Sequence, residues 1–195
     1  ELASLGAHTF GTSADATLVL SGALVDHLSE AELTFVIGHE CGHIQNNHVV
    51  YMTTLYSLTQ TANMLLRVGA QPAVLALRAW ARRAEITCDR AGLLCARDLE
   101  TATTALVKLA LGSQKLTGNI DIDEYLRQFQ DARDSLRRLG EAFSTHPYLP
   151  TRVAALRLFA QTAYYRGVIG DGDGKTGLSR EECDAQIADM VAVIK

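Results

Sequence analysis

Within VIGHECGHIQNNH, residues 36–48, two histidines four positions apart enclose a glutamate. Four residues make about one turn of α-helix, so on a helix His39 and His43 project from one face and their imidazoles can hold the same ion. In an extended chain that pairing is lost. The motif therefore demands a helix, and a catalytic metal, which takes three protein ligands and keeps one position open, demands a third donor from a segment folded against it. Glu40, beside His39, carries a carboxylate placed to reach a water activated by the metal, where a general base has to stand.

The flanking residues agree with that demand. Ser29 and Glu32 form a capping box, and Leu33, Val36, Ile37 and Ile44 recur at helical spacing, which predicts an active-site helix over about residues 29–47. Cys41 stands about 200° around the helix from either histidine and is expected to face the core rather than the metal. The third donor is Glu85, in AEITCDRAG, on a long amphipathic helix read over residues 73–99. Two histidines and one carboxylate complete the ligand count of an open catalytic site. Asp89, one turn further along the same face, can accept the free N–H of a ligand imidazole and fix its ring. His48 follows His43 by five residues, but no glycine turns the chain back between them, so it is read as a non-ligand. His8 and His27 have no partner motif.

His-Glu-x-x-His, then Glu-x-x-x-Asp, then a late His-Pro and Arg, in the forms GHECGHIQNNH, AEITCDRAGLLCARD and STHPYLPTR, resemble the M48 family of zinc metallopeptidases, which are gluzincins. The likeness runs from about Phe10 to Arg157. Among such proteins the chain looks most like compact bacterial forms without transmembrane helices, because the interval from His43 to Glu85 lacks the pair of membrane spans that other members carry there. The resemblance implies a mostly helical α+β zincin fold with a small β-sheet packed on the active-site helix. It also implies one zinc ion on His39, His43 and Glu85, with Glu40 activating water and Asp89 supporting a ligand. His146 would then contact the substrate carbonyl or its oxyanion, and Arg152 would tie that loop to the catalytic region. The implied substrate is a peptide or unfolded protein, extended along an edge strand for which ATLVL is the best local candidate.

The remainder of the chain reads as scaffold. At 195 residues it is expected to form one domain, residues 1–195, with residues 167–195 a Gly/Asp turn and terminal helix. A formal charge of −4 gives no electrostatic reason to expect nucleic acid. ATLVLS, residues 16–21, leaves the turn GTSAD as a strand, and GALVDHL follows as a short helix. Residues 49–66 carry no charge over nearly the length of a membrane span, yet seven of the eighteen are Thr, Ser, Gln or Asn, so a buried or lid-forming helix is expected and membrane association is not. Helices are also read over 100–113, over 121–143 with Tyr125, Leu126, Phe129, Leu136 and Leu139 on one face, and after Pro150.

Four cysteines, Cys41, Cys88, Cys95 and Cys183, fall in no CxxC pair, which favours packing roles and a reducing compartment such as the cytoplasm, with the bacterial cell envelope as the alternative. DGDGKTGLSREE faintly resembles a calcium loop, but Lys175 stands where a ligand belongs, so a solvated turn capped by Ser179 and Glu182 is the reading. The opening ELASLGAH has neither initiator Met nor targeting pattern, which suits a fragment or processed product and leaves room for an inhibitory segment ahead of it. Two other classes compete with catalysis. A non-catalytic binding module would have no use for Glu40, and a structural metal site would need a fourth protein ligand.

Overall fold

A computed structural model describes residues 6–11, 15–60, 68–112, 121–124, 127, 144, 146 and 148–192. Mostly helical, with one small sheet, it has the expected α+β character. Strands β1 (Ala7–Gly11) and β2 (Ala16–Leu20) pair antiparallel, Ala7 opposite Leu20 and Gly11 opposite Ala16. The sequence marked β2 but not β1, so the element read as one strand after a turn is a hairpin. Helix α1 (Gly22–His27) is capped by Ser21, whose hydroxyl accepts from Leu24 N.

Helix α2 (Glu30–Gln45) begins at the capping box of Ser29 and Glu32 that its sequence announces. Glu32 also accepts from Lys108 Nζ at 2.7 and 2.8 Å, which fastens the start of α2 to α5 (Leu99–Leu111). The helix stops at Asn46, and Asn47 takes a left-handed φ of 56°, a conformation that asparagine tolerates better than most residues. The chain then reverses into α3 (His48–Gln60). Val49 and Leu55 of α3 are buried while Val50, Tyr51 and Tyr56 are exposed, so α3 packs along one side only. Among the described residues no helix is long and apolar enough to cross a membrane. Residues 61–66 of that run lie outside the described residues, as do Tyr125, Leu126, Phe129, Leu136 and Leu139.

Helix α4 (Gln71–Ala96) crosses α2 closely, and this contact brings Glu85 to the histidines. Glycines set the approach. A Cβ on Gly42 would lie 3.1 Å from Cys88 Cα and Ala91 Cβ, and one on Gly92 would lie 2.6 Å from the Phe35 carbonyl oxygen. Gly92→Ala is therefore expected to force the two helices apart, costing about 1–3 kcal/mol as overpacked sites do, which a lowered Tm of the metal-free protein would register. An unchanged Tm would show that the helices have slack.

Arg97, at φ 57°, ends α4, and Asp98 caps α5 by accepting from Thr101 N, so the long helix read to Leu99 stops slightly earlier. Helices α6 (Leu149–Ala160), α7 (Ala163–Ile169) and α8 (Arg180–Val191) close the far side of the core. That core joins Leu24, Phe35, Ile86, Leu106, Leu156, Tyr165 and Ile187, and so draws on seven helices. Asp173 accepts from the backbone N–H groups of Lys175 and Thr176, and Glu182 caps α8, so these carboxylates serve the turn and the helix start.

One expectation about packing is overturned. Cys41 is exposed, together with Thr34 and Ile37 on the same side of α2. The histidine-bearing face is the one sunk into the protein, because α4 covers it, and the opposite face meets solvent. Cys95, near the end of α4, is likewise exposed, whereas Cys88 and Cys183 are buried.

Candidate metal centre

Side chains from four elements converge beneath β1. From α2, His39 and His43 direct their Nε2 atoms to within 3.3 Å of each other. From α4, the Glu85 carboxylate lies 3.6 Å from His39 Nε2 and 3.4 Å from His43 Nε2. Donors bound at 2.0–2.1 Å to one tetrahedral ion stand about 3.3–3.4 Å apart, so the spacing of these three fits a single small divalent cation. All three residues are buried, and the donor set of two imidazoles and one carboxylate leaves a fourth position for a small molecule.

The next ring of contacts orients them. His39 Nδ1 meets Asp89 Oδ1 at 2.9 Å, the hydrogen bond that turns its Nε2 towards Glu85. Asp89, with no exposed surface, also accepts from Arg152 Nε at 2.8 Å and Nη2 at 2.6 Å. Burial by itself would raise the Asp89 pKa, but the bidentate guanidinium and His39 outweigh it and hold the carboxyl below its usual value. Glu85 behaves alike. Burial opposes ionisation there, and the hydrogen bond from His43 together with the charge of Arg152 brings the carboxyl well below the ordinary range. His39 moves up despite burial, because Asp89 favours its protonated form.

Glu40 points into the same space, where Oε2 accepts a 2.6 Å hydrogen bond from Thr9 Oγ1 of β1. His146 reaches in from the exposed loop before α6, its Nε2 3.6 Å from Glu85 Oε2. Arg82 of α4 steadies that loop by donating to the Ser144 carbonyl. The structure thus brings His39, Glu40, His43, Glu85, Asp89, His146 and Arg152 to one place. Of the two strands, β1 is the one at the site and β2 lies on its far side, so ATLVL is not the strand beside Glu40.

Thr9 and His48 were the contacts the sequence did not disclose. Alternation in AHTF could have marked the first as part of a strand, and the left-handed tendency of Asn46-Asn47 could have marked the return of the second. His48 is buried beside His43, its Nδ1 3.3 Å from His43 Nδ1 and 3.5 Å from Cys88 Sγ. Burial and the neighbouring His43 ring bring its pKa down to about 4. His43, His48 and Cys88 also place three donor atoms within 4.8 Å of one another. His43 of that grouping also borders the smaller of the cavities that open beside Glu40.

Two such cavities meet at the site. One of 680 Å³ is walled by Phe35, Val36, Leu106, Leu109, Tyr148 and Leu149, and a second of 180 Å³ extends past His8, Thr9, Val49 and Met52. His39, Glu40, Glu85 and His146 border both.

Residues 2–160 match the model of peptidase family M48. The chain belongs to that family. Its membership supports metal-dependent peptidase activity, for which the convergent donors supply a candidate metal site. A curated relative, the plastoglobule-localized metallopeptidase 48, chloroplastic, of Arabidopsis thaliana, is 28% identical over 174 residues. That alignment covers 84% of this chain and 51% of the relative, so the M48 chain described here spans about half the relative's length. No solved structure matches.

Proposed function

We propose that the chain is a zinc-dependent endopeptidase acting on peptides or unfolded proteins. The observation that carries this reading is the placement of Glu40 beside three donors, His39, His43 and Glu85, whose spacing suits one tetrahedral ion. His39, His43 and Glu85 would hold the zinc, which would supply a Lewis acid for the scissile carbonyl and for a water. Glu40 takes the proton from the attacking water and passes it to the leaving amine. His146, on the rim, donates to the oxyanion as the tetrahedral intermediate forms. Arg152 and Asp89 act through His39, keeping its ring in the orientation a ligand needs.

Cleavage within a chain is supported by the two cavities that border Glu40, whose remaining linings differ and offer room for substrate beyond the scissile bond. The apolar wall of the larger one suits a hydrophobic side chain next to the scissile bond. Laid beside β1, an extended substrate would pass Thr9 and Glu40.

Chelation should abolish cleavage of an unfolded protein into internal fragments, and stoichiometric zinc should restore it. Activity unaffected by metal removal would sink the reading. His146→Ala should bind zinc as the parent does and lower kcat by about 10²–10³-fold, the scale of one oxyanion donor, with little change in KM. Loss of zinc in that variant would make His146 a ligand instead.

A further inference from the structure

We propose that His48 is a positioning residue for the metal centre, accepting the Nδ1–H of His43 and so fixing which nitrogen of that ring meets the ion. The inference rests on the reading of His43 as a ligand. An imidazole that binds through Nε2 carries its proton on Nδ1, and ligand histidines give that N–H to an acceptor which sets ring orientation and tautomer. His39 gives its Nδ1–H to Asp89 Oδ1 at 2.9 Å. His43 has Nε2 towards Glu85 at 3.4 Å, and the atom facing its Nδ1 is His48 Nδ1, at 3.3 Å.

Each ligand histidine thus has its own orienting partner, a carboxylate for one and an imidazole for the other. The partner is itself held in place. The His48 ring stands edge-on to Trp80, with centroids 5.1 Å apart and planes at 89°, and edge-on to His43 at 5.3 Å and 74°. Local backbone geometry delivers it there. Asn46 caps α2 through its Nδ2 to the Gly42 carbonyl, Asn47 adopts φ 56°, and the chain turns so that the first residue of α3 faces back onto His43. A neutral acceptor in place of a further carboxylate also limits the negative charge beside the ion, where Glu40, Glu85 and Asp89 already place three carboxylates.

The test is zinc affinity of the purified protein, measured by competition with a chromogenic chelator, alongside the visible spectrum of the cobalt-substituted form. His48→Phe keeps a ring against Trp80 but removes the acceptor, and should weaken zinc binding about 10–100-fold and alter the cobalt spectrum. His48→Asn, whose amide oxygen can stand near the lost Nδ1, should recover most of that affinity. Cys88→Ser should bind zinc as the parent does. Thermal unfolding of the metal-free variants checks folding, and His48→Leu repeats the first test should the Phe side chain not fit.

Parent affinity in His48→Phe, with zinc lost in His43→Ala, would overturn the proposal and leave His48 a packing residue. Asn binding as weakly as Phe would also overturn it, since the imidazole itself would then be required. Weakened zinc in Cys88→Ser would overturn it by making the thiol a ligand. Parent affinity in His43→Ala would instead remove the metal-site reading beneath it.

Discussion

Glu40→Gln is expected to bind zinc with the parent's affinity, unfold at the parent's temperature and lose about 10²–10⁴-fold in peptide hydrolysis, the range that a positioned general base contributes. The substitution is nearly isosteric, and the amide oxygen can still accept from Thr9 Oγ1, which meets Glu40 at 2.6 Å. Proton acceptance is what it removes. An amide cannot take a proton from water at neutral pH, so the chemical step fails while the site stays assembled. Initial rates on a labelled unfolded protein, taken with zinc content, separate the outcomes. Undiminished turnover would move the base elsewhere, and lost zinc would put Glu40 among the ligands. This is also the measurement that divides a peptidase from a binding module on the same scaffold.

The two helix faces that carry the donors are legible in the sequence because their spacing is helical, whereas His146 and Arg152 are legible only through the family resemblance. His39 and His43 share a face by periodicity alone, and so do Glu85 and Asp89, whichever direction the two helices cross. Their crossing was not readable. It depends on Gly42 and Gly92 admitting backbone where a Cβ would collide, a property of two surfaces that no single segment displays. Whether Cys41 is buried depends on the same crossing. Its position about 200° around the helix from the ligand histidines predicts a core-facing Cys41, yet α4 buries the histidine face and leaves Cys41 and Ile37 outside. The contact of His48 with His43 carries no signal in the spacing of the histidines, because it depends on the left-handed turn at Asn47. Strand β1 escaped notice since five residues of mild alternation say little without the partner that pairs them.

Arg152→Met should be the most destabilising of these changes to the scaffold, at about 3–5 kcal/mol, because it strips the partner from a buried carboxylate. Asp89 has no exposed surface and takes two hydrogen bonds from the guanidinium, so its charge would be left with His39 alone. Metal stabilises the folded state by mass action, so the comparison belongs on the metal-free protein, by urea or guanidinium unfolding. Asp89→Asn together with Arg152→Met removes both charges and should recover much of the loss, since the penalty comes from an unpaired buried ion rather than from lost packing. The pH dependence supplies a second signature. In the parent, Asp89 titrates below its usual value, so the stabilisation is fully present above about pH 4–5 and is lost only as pH falls through the lower folded value. In Arg152→Met that lowering is largely gone, and the gap between variant and parent should narrow in acid, where a protonated Asp89 needs no counter-charge. A deficit that stayed constant from neutral pH down to pH 3 would mean that Arg152 stabilises the fold through its aliphatic stem rather than through Asp89.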